Sequence, residues 1–176
     1  ANREISDDGT FEPLALDDIE KIITENAPGG LLVIPTDNPT GQFLNQRQLI
    51  NLAKICVNHN IWIISDEAYR QLYYGEDGSS SIWKITEEDV PGITGSRISI
   101  ESSSKVWNAC GLRIGGLVTD NLDFHTKAVS EYTANLCANA IGQEIFGSLA
   151  HESHHDLNAW YQRQRDYYSG LIMPLR

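Results

Sequence analysis

The sequence has few of the features that mark secreted or membrane-spanning proteins. Its 176 residues include only three cysteines, Cys56, Cys110 and Cys137, which are odd in number and widely spaced. Such spacing favours reduced thiols over the disulfide framework of a small secreted domain. No run of 18 apolar residues occurs, and "ANREISDDGTFEP" at the N-terminus lacks a basic region followed by an apolar stretch. We therefore expect a cytoplasmic protein without membrane insertion.

Clusters of basic residues are also missing. Thirteen Lys and Arg stand against 24 Asp and Glu, which gives a formal net charge of −11. Proteins that bind nucleic acid usually carry a basic patch that neutralises phosphates. We therefore do not expect nucleic acid as a partner.

Helices and buried strands alternate over the first 66 residues. Apolar spacing predicts one helix before Pro28 and a second that begins near Asn45, where Gln48 could complete a capping pair. The apolar faces of these two helices comprise Leu16, Ile19, Ile22, Ile23, Leu49, Leu52, Ala53 and Cys56. The runs "LLVIP" and "IWIISD" indicate strands buried on both faces of a parallel sheet. This βαβ order places Asn38 and Asp66 at one edge of the sheet.

The later part of the chain contains two more strand candidates and then becomes helical. "SRISIESSSK" predicts a third strand that runs to Lys105, and "GGLVTD" predicts a short fourth one. Beyond Asp123 the pattern is helical to the last residue, with no stop signal at the end. We expect a single α/β domain whose last element is cut off.

Three loops that follow predicted strands carry unusual polar residues. In open α/β sheets, ligands bind outside the carboxyl ends of the strands. The three loops are "DNPTG" with Asn38, "SDEAY" with Asp66 and Tyr69, and "SSSKVWNACGLRIG" with Ser102, Ser104, Lys105 and Arg113. Taken singly, each has an ordinary explanation: a turn, a helix cap or a solvated lysine.

Taken together, the three loops match the needs of one cofactor, pyridoxal 5'-phosphate (PLP). Its aldehyde forms a Schiff base with a lysine, and its pyridine nitrogen needs an acidic partner to stay protonated. Its phosphate needs an arginine and hydroxyl groups. Lysine, carboxylate, arginine and hydroxyls all stand in these loops.

The motifs "NPTG", "SDEAY" and S-x-S-K-x5-G-x-R-x-G, in this order, resemble those of the class I/II aminotransferases. The resemblance implies a PLP-dependent enzyme of fold type I, with a three-layer αβα domain and a mainly parallel sheet. It implies transfer of an amino group between an amino acid and a 2-keto acid through a lysine Schiff base, in a homodimer. Residues 1–176 would be the later part of the large PLP-binding domain, without its first part and without the C-terminal small domain.

The resemblance also assigns roles to single residues. Lys105 would be the Schiff-base lysine and the proton carrier, and Asp66 would pair with the pyridine nitrogen. Asn38 and Tyr69 would hydrogen-bond the phenolate oxygen of the cofactor and lower the Schiff-base pKa.

The phosphate would be held by Ser102, Ser104 and Arg113, with Ser104 able to face the other side of the strand. Gly111 and Gly115 would permit close approach of the backbone.

Two departures from the family pattern are visible. The pair before the "NPTG" loop is Ile34-Pro35 where the family commonly has Asn-Pro, and no G-x-G turn precedes residue 30. The resemblance places the phosphate-binding turn, the ring-stacking aromatic residue and the substrate-carboxylate arginine outside this sequence. We therefore expect the isolated chain to be inactive and to bind PLP weakly.

Three other interpretations bear on the same sequence. A C-S lyase or β-eliminase uses the same PLP contacts, and an aminotransferase-like domain can bind an effector in a transcription regulator. "HESHH" satisfies H-E-x-x-H with His151, Glu152 and His155, the pattern of a zinc site on a helix. Its polar surroundings favour a solvated surface, so we expect no metal.

Overall fold

A computed structural model of the protein describes residues 4–9, 11–12, 15–75, 77–135 and 138–172. Its four strands are β1 (Gly30–Val33), β2 (Trp62–Asp66), β3 (Arg97–Ser102) and β4 (Gly115–Thr119). Its five α-helices are α1 (Leu16–Asn26), α2 (Gln46–Asn58), α3 (Leu122–Asn135), α4 (Ala140–Gly147) and α5 (His154–Ile172). Short 3-10 turns cover Ile82–Lys84, Cys110–Leu112 and Ser148–His151.

The four strands form one sheet in the order β1-β2-β3-β4. The pairs β1-β2 and β2-β3 are parallel, and β4 runs antiparallel to β3. The predicted αβα class with a mainly parallel sheet is confirmed. The pairing of β1 with β2 across α2 is the predicted βαβ unit.

The core lies between the sheet and the first two helices. Its fully buried members include Leu49, Ala53 and Cys56 of α2, Ile63 of β2 and Ile82. The predicted capping pair of α2 is present, because the Asn45 side chain accepts from the Gln48 amide at 3.0 Å and the Gln48 side chain accepts from the Asn45 amide at 2.9 Å.

The predicted burial was too extensive at three apolar positions. In α1, Ile19 and Ile23 enter the core, but Leu16 is 37% and Ile22 40% exposed. Ile22 lies about 100° around the helix from Ile23, which turns it outward. In β1, Leu32 is 59% exposed in the part of the chain that the structure describes, so this strand is buried on one face only.

Two of the three cysteines lie among the described residues. Cys56 and Cys110 are both free, and burial raises the pKa of the Cys56 thiol to about 12. Cys137 and the last four residues of the predicted terminal helix lie outside the described residues. Over the described ranges, no helix has the length and apolar content needed to cross a membrane.

Candidate active site

The carboxyl ends of β1, β2 and β3 lie side by side at one edge of the sheet. The parallel registers pair Val33 with Ser65 and Asp66 with Ile100. The loops that follow these strands are the three polar loops singled out in the sequence. The side chains of these three loops therefore lie along the same edge of the sheet.

Asn38 and Tyr69 meet across the first two loops. The Asn38 amide Nδ2 donates to the Tyr69 hydroxyl at 3.4 Å, a long contact for a hydrogen bond. A cis peptide bond joins Asn38 to Pro39. Tyr69 is half-buried and Asn38 is exposed, so the pair lies at the surface of the edge.

Asp66 is the last residue of β2 and begins the turn that carries Tyr69. Its Oδ1 accepts from the Ala68 amide at 3.1 Å, which is the local turn contact of its ordinary structural interpretation. The turn is closed by backbone bonds from Arg70 to Glu67 at 3.0 Å and from Leu72 to Tyr69 at 2.8 Å. These hydrogen bonds hold the half-buried Asp66 carboxylate and the Tyr69 phenol within one turn.

Lys105 lies in a turn beyond β3, not within the strand as the sequence predicted. β3 ends at Ser102, where the chain leaves the ladder and the Ala109 amide bonds back to the Ser103 carbonyl at 3.2 Å. The Lys105 side chain is exposed, and its Nζ stands 5.7 Å from the centre of the Tyr69 ring. An ammonium over a tyrosine ring is a favourable cation–π contact. The structure thus brings Asn38, Tyr69 and Lys105 together.

Helix α5 supports the turn that carries Lys105. The Trp160 indole donates to the carbonyl of Val106 at 3.1 Å. Asn108 donates to Gln164 at 2.7 Å and accepts from the Tyr168 hydroxyl at 3.1 Å. Sequence analysis missed these supports, whose only local signal is the aromatic and amide content of α5.

The predicted phosphate ligands lie around the same turn, but the contacts that the structure gives them are local. The Ser104 amide donates to the Ser102 Oγ at 3.1 Å, and both serines are partly exposed. Ser103 between them is buried, and its Oγ donates to the Ile114 carbonyl at 2.9 Å. The exposed Arg113 has a left-handed backbone, with φ 55°, and donates to the Cys110 carbonyl at 3.1 Å. The binding of phosphate by Ser102, Ser104 and Arg113 stays a prediction.

Of the two predicted glycines, Gly115 is required by its protein surroundings. It pairs with Ser102 in the β3-β4 ladder, and a Cβ there would stand 2.8 Å from the Glu101 carbonyl oxygen. A Cβ at Gly111 would meet no described atom within 4 Å. The fold therefore explains why residue 115 is a glycine, and it gives no structural reason for the glycine at residue 111.

An ionic network behind the edge was also missed. The Glu67 carboxylate is buried and pairs with Arg70, which also bonds Glu101 at 3.0 Å. Burial alone would lower the pKa of the Arg70 guanidinium, but the hydrogen bonds and charges of Glu67 and Glu101 outweigh it and raise that pKa. A glutamate one residue beyond a buried strand end, on the face opposite Asp66, was the available signal.

The H-E-x-x-H match does not lie on one helix. His151 closes a 3-10 turn, Glu152 is extended with φ −78° and ψ 146°, and α5 begins only at His154. The break separates His151 from His155, so the two rings lack the shared helical face of a zinc site. Across the described ranges, no three His, Cys, Asp or Glu are grouped to hold a metal ion.

Solved structures share this fold over nearly the whole chain. The PLP-bound C-S lyase of Staphylococcus hominis matches with a TM-score of 0.75 and 20% identity, over 96% of this chain and 41% of that one. The N-succinyldiaminopimelate aminotransferase of Mycobacterium tuberculosis matches with a TM-score of 0.74 and 23% identity, over 94% and 40%.

Curated relatives are similar over most of this chain and a smaller part of their own. The aspartate aminotransferase of Bacillus sp. YM-2 is 31% identical over 124 residues, which are 69% of this chain and 30% of that protein. The glutamate-pyruvate aminotransferase AlaA of Escherichia coli K12 is 29% identical over 133 residues, 73% of this chain and 31% of AlaA. The chain spans less than a third of the length of these two relatives.

The family model for "Aminotransferase class I and II" matches residues 8–172. This range includes the three loops at the carboxyl edge of the sheet and all seven candidate residues, which are Asn38, Asp66, Tyr69, Ser102, Ser104, Lys105 and Arg113. It also includes α5, which supports the turn of Lys105. The chain belongs to the class I and II aminotransferase family.

Proposed function

We propose that this chain holds PLP in an enzyme that moves an amino group between an amino acid and a 2-keto acid. The observation that carries the proposal is the meeting of the Lys105 amine, the Tyr69 phenol and the Asn38 amide at the edge of the sheet where Asp66 ends β2. Membership of the aminotransferase family supports it. Both the activity and the substrates belong to the whole protein, of which this chain supplies the lysine side.

The side chains present fit PLP by their chemistry. When bound, PLP supplies an aldehyde for amines and a pyridine ring that withdraws electrons from the substrate's α carbon. Lys105, whose amine is exposed at the edge, would bind that aldehyde covalently and then move a proton at the α carbon. Asp66 would hold the proton on the pyridine nitrogen.

The remaining groups would orient the cofactor. Asn38 and Tyr69 would donate to the ring oxygen, and their mutual contact at 3.4 Å is loose enough to be exchanged for it. Ser102, Ser104 and Arg113 would hold the phosphate, since hydroxyls and a guanidinium are its natural donors.

Four wider assignments belong to the same proposal. Residues 1–176 would be part of the large PLP-binding domain of a cytoplasmic homodimer, without a metal ion. The free thiols of Cys56 and Cys110 support a reducing compartment. Strongly exposed apolar side chains at Leu122 (79%) and Ile141 (73%) support contact with another part of the protein or with a second subunit.

A C-S lyase is the second candidate, because the Staphylococcus hominis enzyme shares the fold over 96% of this chain. Both reactions begin with removal of the proton at the α carbon, so the cofactor contacts cannot separate them. Product analysis with the full-length protein separates them: a keto acid matched to the amino donor indicates transfer, whereas pyruvate with ammonia indicates elimination.

The proposal is tested by PLP absorbance of the full-length protein with and without Lys105. The wild type should show a visible band and should form keto acid from an amino donor. Lys105→Ala should lose the band and at least roughly a thousandfold in turnover. Lys127→Ala, at a lysine whose side chain is 75% exposed and paired with Asp123, should keep both. Unchanged turnover in Lys105→Ala would overturn the proposal.

A further inference from the structure

Glu67 is a fully buried carboxylate directly behind the candidate site. Its side chain is 0% exposed, and it accepts hydrogen bonds from the Ser81 hydroxyl at 2.7 and 2.9 Å and from the Ile82 amide at 2.9 Å. Arg70 completes its surroundings as an ion pair. A buried charge is tolerated only when it is paired and hydrogen-bonded, and here both conditions are met.

Arg70 carries this network across to β3. Its Nη1 bonds Glu67 and also Glu101, the latter at 3.0 Å. Glu101 in turn accepts from the Ser99 hydroxyl at 2.9 Å. We call Glu67, Arg70 and Glu101 the carboxylate clamp, because a single guanidinium nitrogen joins two acidic side chains from different strand ends.

Each residue of the clamp is a chain neighbour of a residue in the candidate site. Glu67 follows Asp66, Arg70 follows Tyr69, and Glu101 precedes Ser102. Asp66 and Glu67 are consecutive at the end of β2, and Glu101 and Ser102 are consecutive in β3, so within each pair the side chains point to opposite faces of the strand. Arg70 joins the clamp from the turn that carries Tyr69, which is closed by its backbone bond to Glu67. The Glu67 amide also bonds the Ile100 carbonyl at 3.0 Å, which fixes the two strand ends in register.

We propose that the carboxylate clamp positions Asp66 and Tyr69 relative to the turn of Ser102 and Lys105, and so sets how these groups meet PLP. This inference rests on the proposed function. A buried ion pair is weak evidence for stability alone, since apolar replacements are often as stable. Placement matters more here, because catalytic groups must be held to within about 0.5 Å.

The experiment uses the full-length protein loaded with PLP and three isosteric variants. Glu67→Gln puts an amide nitrogen where Arg70 needs an acceptor, and Glu101→Gln weakens the other arm of the clamp. Glu87→Gln is the matched control, since the Glu87 carboxylate also accepts hydrogen bonds from the backbone, from the Gly92 and Thr94 amides, but lies on an exposed loop. The readouts are the pH titration of cofactor absorbance, PLP affinity by titration, and the thermal midpoint.

The clamp predicts a specific spectroscopic change. If Tyr69 withdraws from the ring oxygen, the protonated form of the nitrogen that joins Lys105 to PLP is favoured. The absorbance midpoint should therefore rise by at least about half a pH unit in Glu67→Gln, and less in Glu101→Gln. PLP affinity should fall roughly tenfold in Glu67→Gln, a change of about 1.4 kcal/mol. Glu87→Gln should leave both values unchanged.

The outcomes separate this inference from the proposed function. If Glu67→Gln does not fold, Glu101→Gln decides, because the Glu101 side chain is 28% exposed and its variant leaves the Glu67-Arg70 pair in place. A lower thermal midpoint with an unmoved absorbance midpoint in the folded variants overturns the clamp and leaves the proposed function intact. Absence of a visible band in the wild type overturns the proposed function itself.

Discussion

The first and last parts of the described chain differ in how they are held. Up to Val106, strands β1 to β3 and helices α1 and α2 enclose buried apolar side chains such as Leu49 and Ile63, both 0% exposed. Beyond it, over the described residues, α3 and α5 contain no buried residue, and the buried residue of α4 is Gly142, which has no side chain. Lys105 lies at the boundary of these regions.

This boundary explains how an exposed lysine can be held in place. On one side, its turn follows a strand anchored in the core, with Val106 buried. On the other, α5 reaches the same turn through the hydrogen bond of Trp160 to the Val106 carbonyl and through ring contacts of Trp107 with Trp160 and Tyr161. The turn of Lys105 is thus supported by the buried core on one side and by α5 on the other.

The largest difference in stability should come from leucine truncations in the two regions. Leu49→Ala removes a fully buried side chain of α2 and should lower the free energy of unfolding by about 3 kcal/mol, because it leaves a cavity. Leu171→Ala, at a position of α5 that is 51% exposed, should change it by less than about 0.5 kcal/mol. Urea unfolding of both variants measures the contrast. Equal losses would show that the exposed region carries as much of the stability as the core.

A smaller effect is expected where α5 meets the lysine turn. Trp160→Phe removes the indole donor to Val106 but keeps an aromatic ring, which should cost about 1 kcal/mol of unfolding free energy. PLP affinity should fall as well, because the turn loses a support.

Tyr167→Phe is the control on the same helix, since Tyr167 is 63% exposed. Its affinity and stability should match the wild type. A loss of stability in Trp160→Phe without any loss of PLP affinity would contradict the role assigned to α5.

The smallest effect concerns pH and an exposed loop. Hydrogen bonds from Thr94, together with the Gly92 and Thr94 amides, lower the pKa of Glu87 from 4.5 to about 2. A pKa that is lower in the folded state adds stability above about pH 4.5, and this is lost as the pH falls towards 2. Wild type should therefore exceed Glu87→Gln in unfolding midpoint at pH 6, with the gap closing by pH 2. A gap that is constant with pH would contradict the assigned hydrogen bonds.

Local rules predicted much of the first region. Apolar spacing and capping chemistry were enough to predict α2 and its capping pair, because Asn45 and Gln48 are only three residues apart in the sequence. The continuous run "LLVIP" also predicted a strand, but its local pattern could not show that Leu32 lacks a cover on one face among the described residues. Burial of a strand face depends on elements far away in sequence.

The order of the motifs was enough to predict the residues of the candidate site, but the contacts of α5 that support the turn of Lys105 could not be predicted. The meeting of Asn38 with Tyr69 spans 31 residues and follows from parallel strand ends. In contrast, the contact of Trp160 with Val106 spans 54 residues and joins elements that no local period connects. The helical pattern after Asp123 likewise gave no sign that Glu152 is extended, which interrupts the helix within the H-E-x-x-H segment.

Lys105 is the residue proposed to bind PLP covalently. Borohydride reduction of the PLP-loaded full-length protein, followed by proteolysis and mass analysis of the peptides, tests it directly. We expect a reduced cofactor attached to the peptide that contains Lys105, and no attachment in Lys105→Ala. A cofactor fixed on a peptide from elsewhere in the protein would contradict it.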